Sequence, residues 1–111
     1  LAYRCQSFNE YFKQQSLTTE EKQLLDDIES LQKIQDHVFS YIKQYKFSLD
    51  ANTIEEYVGL ADTEADIALD QLKDAPSSKN KEMLLTWKFF TAQGIRKSLE
   101  LADVIEPTER L

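Results

Sequence analysis

Four aspartates recur at every fourth position of one segment, a spacing that suits either cation binding or attraction of a basic partner. They are Asp62, Asp66, Asp70 and Asp74. In an α-helix this spacing stacks the carboxylates on one face, where each like-charged pair costs a few tenths of a kcal/mol. Carboxylate oxygens are the ligands that hard cations prefer. A single row on one helix reaches a cation poorly, however, and the chain has neither a Glu-x-x-His pair nor an Asp-x-Asp-x-Asp-Gly loop. We therefore expect no metal or other cofactor.

Catalytic chemistry has few candidate side chains. The chain has one histidine, His37, and one cysteine, Cys5, and they are far apart in the sequence. A phosphotransfer domain is a helical bundle with an exposed histidine, but it usually carries a lysine three residues further on. Ser40 stands at that position here. Since nucleophilic catalysis needs a nucleophile and a base within reach of each other, we predict that the protein is not an enzyme.

The charge balance excludes several classes of partner. The formal net charge is −7, which disfavours nucleic acids and anionic membranes, because both are bound through clustered Lys and Arg. No run of eighteen apolar residues is present that would span a bilayer. A lone cysteine precludes an intramolecular disulfide and leaves the compartment open, with the cytoplasm favoured. The expected partner is another protein, possibly one with a basic face.

Composition indicates long helices. A chain of 111 residues fits one domain, 1–111, and its 41% hydrophobic content is typical of a globular protein. It contains only two glycines and two prolines, whereas an all-β chain of this length needs frequent turns. We therefore predict an all-α fold without strands.

Hydrophobic periodicity divides the chain into four helices. A short first helix covers about 1–15, and the pattern Thr18-x-x-Glu21 then has the form of a capping box. Apolar residues that alternate at spacings of three and four predict longer helices over about 19–46, 53–73 and 79–105. Three long helices joined by short turns should form an antiparallel, up-down bundle, with the short N-terminal helix closing one edge or end.

The same alternation predicts which residues form the core. Ala61, Ala65 and Ala68 form a narrow stripe where a neighbouring helix can approach closely, and we expect Gly94 to serve a close contact, against Gly59 or that stripe. The residues expected to be among the most buried are Leu31, Val38, Ile42, Val58, Ala65, Leu69, Phe89, Ile95 and Leu99.

Part of the aspartate row should be neutralised within the bundle. In an antiparallel hairpin of the third and fourth helices, Lys81 and Lys88 lie level with the C-terminal part of the row, from Asp66 to Asp74. The N-terminal end of the third helix has no such lysines, so we expect it to be the less compensated end. The predicted partner-binding residues lie there, as an acidic rim around an aromatic anchor: Glu55, Glu56, Tyr57 and Asp62.

Two functional hypotheses remain. The first is a non-enzymatic protein–protein interaction module, such as a regulator, adaptor, inhibitor or immunity-type protein, that binds a partner through a helical face. The alternative is a sensor or ligand-binding bundle excised from a larger receptor, which the absence of an initial methionine favours. The two differ in what flanks the domain, since a receptor fragment would be bordered by hydrophobic spans.

Overall fold

The protein is an all-α bundle of three long helices and a short N-terminal helix, as the sequence predicts. The computed structural model describes residues 2–44 and 50–105, with the side chains of 2–7 and 44 left out. Within these residues there is no strand. The helices are α1 (Ala2–Lys13), α2 (Thr19–Gln44), α3 (Ala51–Lys73) and α4 (Lys79–Leu101).

The predicted capping box begins α2 and also ties α2 to α4. Glu21 N–H donates to Thr18 Oγ1 at 3.1 Å, and Thr18 N–H donates to Glu21 Oε1 at 2.9 Å. The second carboxylate oxygen of Glu21 accepts a hydrogen bond of 2.7 Å from the hydroxyl of Ser78, which precedes α4. The backbone hydrogen bond from Thr18, followed by the bond from Ser78, lowers the pKa of Glu21 below its ordinary value. One carboxylate therefore fixes the starts of two helices.

The other two long helices begin at N-caps formed by an aspartate and a serine. Asp50 accepts a hydrogen bond of 2.7 Å from Thr53 N–H at the start of α3. Ser78 accepts one of 3.1 Å from Lys81 N–H at the start of α4. Each bond satisfies a backbone donor that lacks a partner within the helix.

The last helix ends earlier than predicted, at Leu101 rather than near residue 105. Asp103 adopts a positive φ of 66°, and its N–H donates to the carbonyl of Glu100. Val104 N–H donates to the carbonyl of Leu99. This pair of bonds is the Schellman arrangement, in which a left-handed residue closes a helix. A proline cannot continue a helix, and Pro107, which follows this segment in the sequence, lies outside the described residues.

Helix α4 lies at the centre of the packing. It packs extensively against both α2 and α3, whereas the backbones of α2 and α3 approach each other much less closely. Contacts between Asp27 and Lys88 and between Glu20 and Lys81 show that α2 and α4 run parallel. The pairings of Asp62 with Arg96 and of Glu64 with Lys88 show that α3 runs antiparallel to α4.

Helix α1 runs antiparallel to α2. Its Asn9 bonds to Gln32, and its Lys13 pairs with Glu29 at 3.0 Å, both on α2. The whole bundle measures 42 × 27 × 19 Å.

The core consists of two apolar clusters, one towards each end of the bundle. The first contains Leu31, Val38, Ala61, Ala65, Ala92, Ile95 and Leu99. The second, which includes a residue of α1, contains Phe12, Leu24, Leu25, Ile28, Ala68, Leu84 and Leu85. Five of the nine residues predicted to be most buried are buried. The other four are only partly buried: Ile42, Val58, Leu69 and Phe89.

A charged layer lies between the two clusters. The Lys88 side chain is only 4% exposed, and its Nζ lies 2.8 Å from Glu64 Oε2 and 3.5 Å from Asp27 Oδ2. Because the three residues belong to three different helices, this layer fixes the level at which α2, α3 and α4 meet. A buried lysine needs such partners, since its charge loses most of its hydration.

Gly94 does serve a close contact, but not the expected one. A Cβ atom at Gly94 would lie 2.7 Å from Nε2 of Gln35 on α2. The alternative partner, Gly59, has nothing within 4 Å of such a Cβ. The close approach at Gly94 therefore belongs to the interface between α2 and α4.

The alanine stripe of α3 provides a stability prediction. Ala61, Ala65 and Ala68 are each at most 1% exposed. We expect Ala65→Leu to lower the free energy of unfolding by about 1–3 kcal/mol, because the extra methylenes must displace packed neighbours. Urea denaturation followed by circular dichroism measures this loss. Unchanged stability would mean that α3 and α4 separate easily at Ala65.

Candidate functional site

The aspartate row is not neutralised in the way that the sequence suggested. Lys81 pairs with Glu20 at 2.7 Å, and Lys88 pairs with Glu64 and Asp27. These ion pairs are with other acids than the aspartates of the row, since Lys81 turns towards α2 and Lys88 lies between α2 and α3. The predicted alignment of the two antiparallel helices was nearly right, since Lys88 was placed level with Asp66 and pairs with the nearby Glu64. The predicted rotation of α4 about its own axis was wrong.

Asp62 was expected to lie at the less compensated end of α3, but it has a cationic partner on α4. Its Oδ2 lies 2.7 Å from Nη1 of Arg96 on α4. Arg96 Nε in turn contacts Glu100 Oε2 at 3.0 Å, and Lys97 reaches the other oxygen of Glu100 at 3.3 Å. These side chains line a cleft between α3 and α4, with Gln93 beside them. Asp62 thus contributes to the helix pairing.

Tyr57 lies partly buried between α2 and α3. Its hydroxyl is 2.6 Å from Nδ1 of His37, and the two rings meet edge to face at 5.7 Å. The ring also packs against the apolar cluster around Leu31 and Val38. The hydroxyl and much of the ring are therefore engaged by α2.

Glu55 and Glu56 are both exposed, and neither forms an ion pair with a described residue. Of the four residues predicted to bind a partner, these two are fully presented at the surface, whereas Tyr57 and Asp62 contact α2 and α4. The structure brings all four to the N-terminal half of α3, but it does not gather them into one exposed patch.

A different set of α3 residues forms a continuous exposed face. Its two large apolar side chains, Leu60 and Ile67, are 39% and 40% exposed. Three exposed polar residues alternate with these two along the helix. Successive members of the set are three or four residues apart, so all five lie on one side of the helix. We call this set the α3 outer face: Glu56, Leu60, Thr63, Ile67 and Asp70.

The α3 outer face was not predicted from the sequence, where the aspartate row is the more conspicuous pattern on this helix. A signal was present in the sequence. Leu60 and Ile67 are seven residues apart and lie outside the alternation of Ile54, Val58, Ala61 and Ala65 that forms the core stripe. Apolar residues that repeat at a helical spacing away from the core side indicate a second apolar strip.

Charge is distributed unequally among the long helices. Helix α4 has five basic and two acidic residues, a net charge of +3, whereas α3 has six acidic residues and one lysine, a net charge of −5. Four of the basic residues of α4 form ion pairs within the bundle: Lys81, Lys88, Arg96 and Lys97. Much of the positive charge of α4 is thereby paired within the bundle, whereas α3 has an excess of acidic side chains.

The remaining possibilities for chemistry are limited. Among the described residues, no group of three or more His, Cys, Asp or Glu side chains is arranged to hold a metal ion. No described helix has both the length and the apolar character needed to cross a membrane.

Comparison of the chain with protein-family models, curated proteins and solved structures found no significant match.

Proposed function

We propose that this protein is a protein–protein interaction module that binds a basic amphipathic helix of its partner on the α3 outer face. The observation that carries the proposal is the exposed apolar pair, Leu60 and Ile67, on a helix with a net charge of −5. A partner helix with two apolar residues would cover this pair, and its flanking Lys or Arg residues would meet Glu56 and Asp70.

The proposal modifies the set of contact residues predicted from the sequence. Glu56 remains at its centre, and Glu55 lies beside it as part of the acidic rim. Asp62 and Tyr57 are not part of this face. Asp62 joins α3 to α4 through Arg96, and Tyr57 joins α3 to α2 through His37. Reversing the charge of Asp62 would consequently disturb the bundle, so it is a poor test of binding. Apolar contacts at the centre provide affinity, and the acidic rim accelerates association at low salt.

A peptide selection tests this proposal. A phage library that displays helical peptides is selected against the intact chain at low salt. We expect the enriched peptides to be rich in Lys and Arg, with apolar residues at spacings of three and four. Leu60→Ser combined with Ile67→Ser should weaken their binding about tenfold or more, because both apolar contacts are lost. Glu56→Lys combined with Asp70→Lys should slow association.

Met83 provides the matched control, because it is 38% exposed but lies on α4. Met83→Ser should leave the binding of the selected peptides unchanged. Circular dichroism establishes that each variant is folded. If the enriched peptides bind the Leu60→Ser, Ile67→Ser variant as tightly as the unaltered chain, the α3 outer face is not the docking site.

A further inference from the structure

Helix α4 also presents an exposed face with two apolar residues. Phe90 and Met83 are 59% and 38% exposed and lie seven residues apart, as the apolar pair of the α3 outer face does. Exposed lysines precede and follow them, and a half-buried threonine lies between them. We call this set the α4 outer face: Lys79, Met83, Thr86, Phe90 and Lys97.

Both outer faces point away from the core of the bundle. The alanine stripe is buried on the opposite side of α3, and Leu84, Ala92 and Ile95 are buried on the opposite side of α4. A partner that covers either face therefore leaves the internal packing of that helix unchanged.

The two outer faces have the same pattern of residue types but opposite charge. In each, a charged residue is followed by an apolar residue after 4 positions, a threonine after 7, a second apolar residue after 11 and another charged residue after 18. The two charges are Glu56 and Asp74 along α3, where Asp74 caps the helix one turn after Asp70. They are Lys79 and Lys97 along α4. When the two helices lie side by side and parallel, apolar residues meet apolar residues and each acid meets a lysine.

Neither face suits a copy of itself. If two α3 outer faces paired about a two-fold axis with their apolar residues together, Glu56 of one molecule would meet Asp70 of the other. Two α4 outer faces paired in the same way would bring Lys79 close to Lys97. Like charges placed against each other disfavour such pairs. Charge complementarity therefore favours a contact between unlike faces.

We propose that the α4 outer face of one molecule binds the α3 outer face of a second copy of this chain. The inference rests on the proposed function, because it names α4 as a basic helix that the α3 outer face accepts. The apolar pairs of the two faces cover each other, and Lys79 and Lys97 meet the acids at the two ends. Because the two faces differ, each added molecule leaves one face of each kind open, and copies assemble head to tail.

The contact is small, since it joins two single helix faces. We expect a dissociation constant of about 0.1–1 mM, typical of a weak, transient interface. Association should weaken as salt rises, because the ion pairs at its ends are exposed. Sedimentation equilibrium of the full chain over a range of concentrations measures it, with a reducing agent present so that Cys5 cannot form a disulfide between molecules.

Two blocked variants test which faces meet. Leu60→Ser with Ile67→Ser removes the apolar pair of the α3 outer face, and Met83→Ser with Phe90→Ser removes that of the α4 outer face. Each variant alone should associate at least about tenfold more weakly than the unaltered chain, because either loss breaks every contact. An equimolar mixture of the two should form a dimer and nothing larger, since it retains one intact face of each kind.

Charge variants test the contribution of the lysines. Lys79→Glu with Lys97→Glu should abolish association at low salt, because acids would then meet acids. The matched control is Lys22→Glu with Lys33→Glu, which changes the net charge equally at two exposed positions of α2 and should alter association by less than about threefold. These variants keep the proposal testable if a serine variant does not fold, which circular dichroism establishes.

The outcomes separate this inference from the proposed function. A chain that stays monomeric at millimolar concentration overturns the inference, whereas the proposed function stands if selected peptides still bind the α3 outer face. A blocked variant that associates as strongly as the unaltered chain, or a mixture of the two blocked variants that stays monomeric, also overturns it. Equal effects of the α4 and α2 lysine variants would do so as well, because only net charge would then matter.

Discussion

Asp27→Asn combined with Glu64→Gln is expected to lower the free energy of unfolding by about 3–5 kcal/mol. Both substitutions keep the size of the side chain but remove its charge. Lys88, whose side chain is 4% exposed, would then remain in the interior without a carboxylate. Urea denaturation followed by circular dichroism measures the change.

Two comparisons isolate the role of the buried charge. Asp26→Asn with Asp70→Asn removes one exposed acid from each of the same two helices, and we expect a change below about 0.5 kcal/mol. Lys88→Met should cost less than the loss of both carboxylates, since methionine fills the space and the partly exposed Asp27 and Glu64 can turn to water. If the Asp27→Asn, Glu64→Gln variant is as stable as the variant with exposed substitutions, Lys88 does not depend on these partners.

Leu31→Ala is expected to destabilise the protein by about 2–5 kcal/mol. Leu31 is 2% exposed and belongs to the cluster that joins α2, α3 and α4. Its truncation removes buried apolar surface and leaves a cavity that packed helices fill only in part. The same substitution at Leu60, which is 39% exposed, should cost less than about 1 kcal/mol. Equal losses at the two positions would contradict the assignment of Leu31 to the core.

Local signals in the sequence predicted much of the fold. The capping box Thr18-x-x-Glu21 was recognisable without tertiary information, because its two side chains satisfy backbone amides next to them in sequence. The end of α4 was not recognisable. A Schellman closure normally shows as glycine, and here Asp103 takes the left-handed conformation instead.

The charged layer could not be predicted because it depends on the rotation of one helix about its axis. Helix α4 has apolar residues around much of its circumference, so periodicity did not determine which side faces α2. A lysine is rarely buried, and Lys88 was accordingly expected to pair with the aspartate row rather than to lie in the interior. Only the packed arrangement of three helices places Asp27 and Glu64 around it.

The helix that carries the candidate site could be predicted from the sequence, but the residues that form the site could not. Acidic excess on α3 indicated the helix, and Glu56 is retained in the α3 outer face. Tyr57 was expected to be an anchor for a partner, but a half-buried His37 on α2 lies within hydrogen-bonding distance of its hydroxyl. That contact joins residues twenty positions apart in sequence, and spacing within one helix carries no information about it.

The central position of α4 has a consequence for how the chain folds during synthesis. Helices α2 and α3 emerge from the ribosome first, yet each packs mainly against α4 and much less against the other. We therefore expect their apolar faces, with Leu31 on α2 and the alanine stripe on α3, to stay largely uncovered until α4 has been synthesised. Helix α3 then meets α4 across a five-residue turn, which is a fast local event, whereas α2 must close a longer loop. We therefore expect assembly to begin at the α3–α4 hairpin, with α2 docking afterwards and α1 after α2.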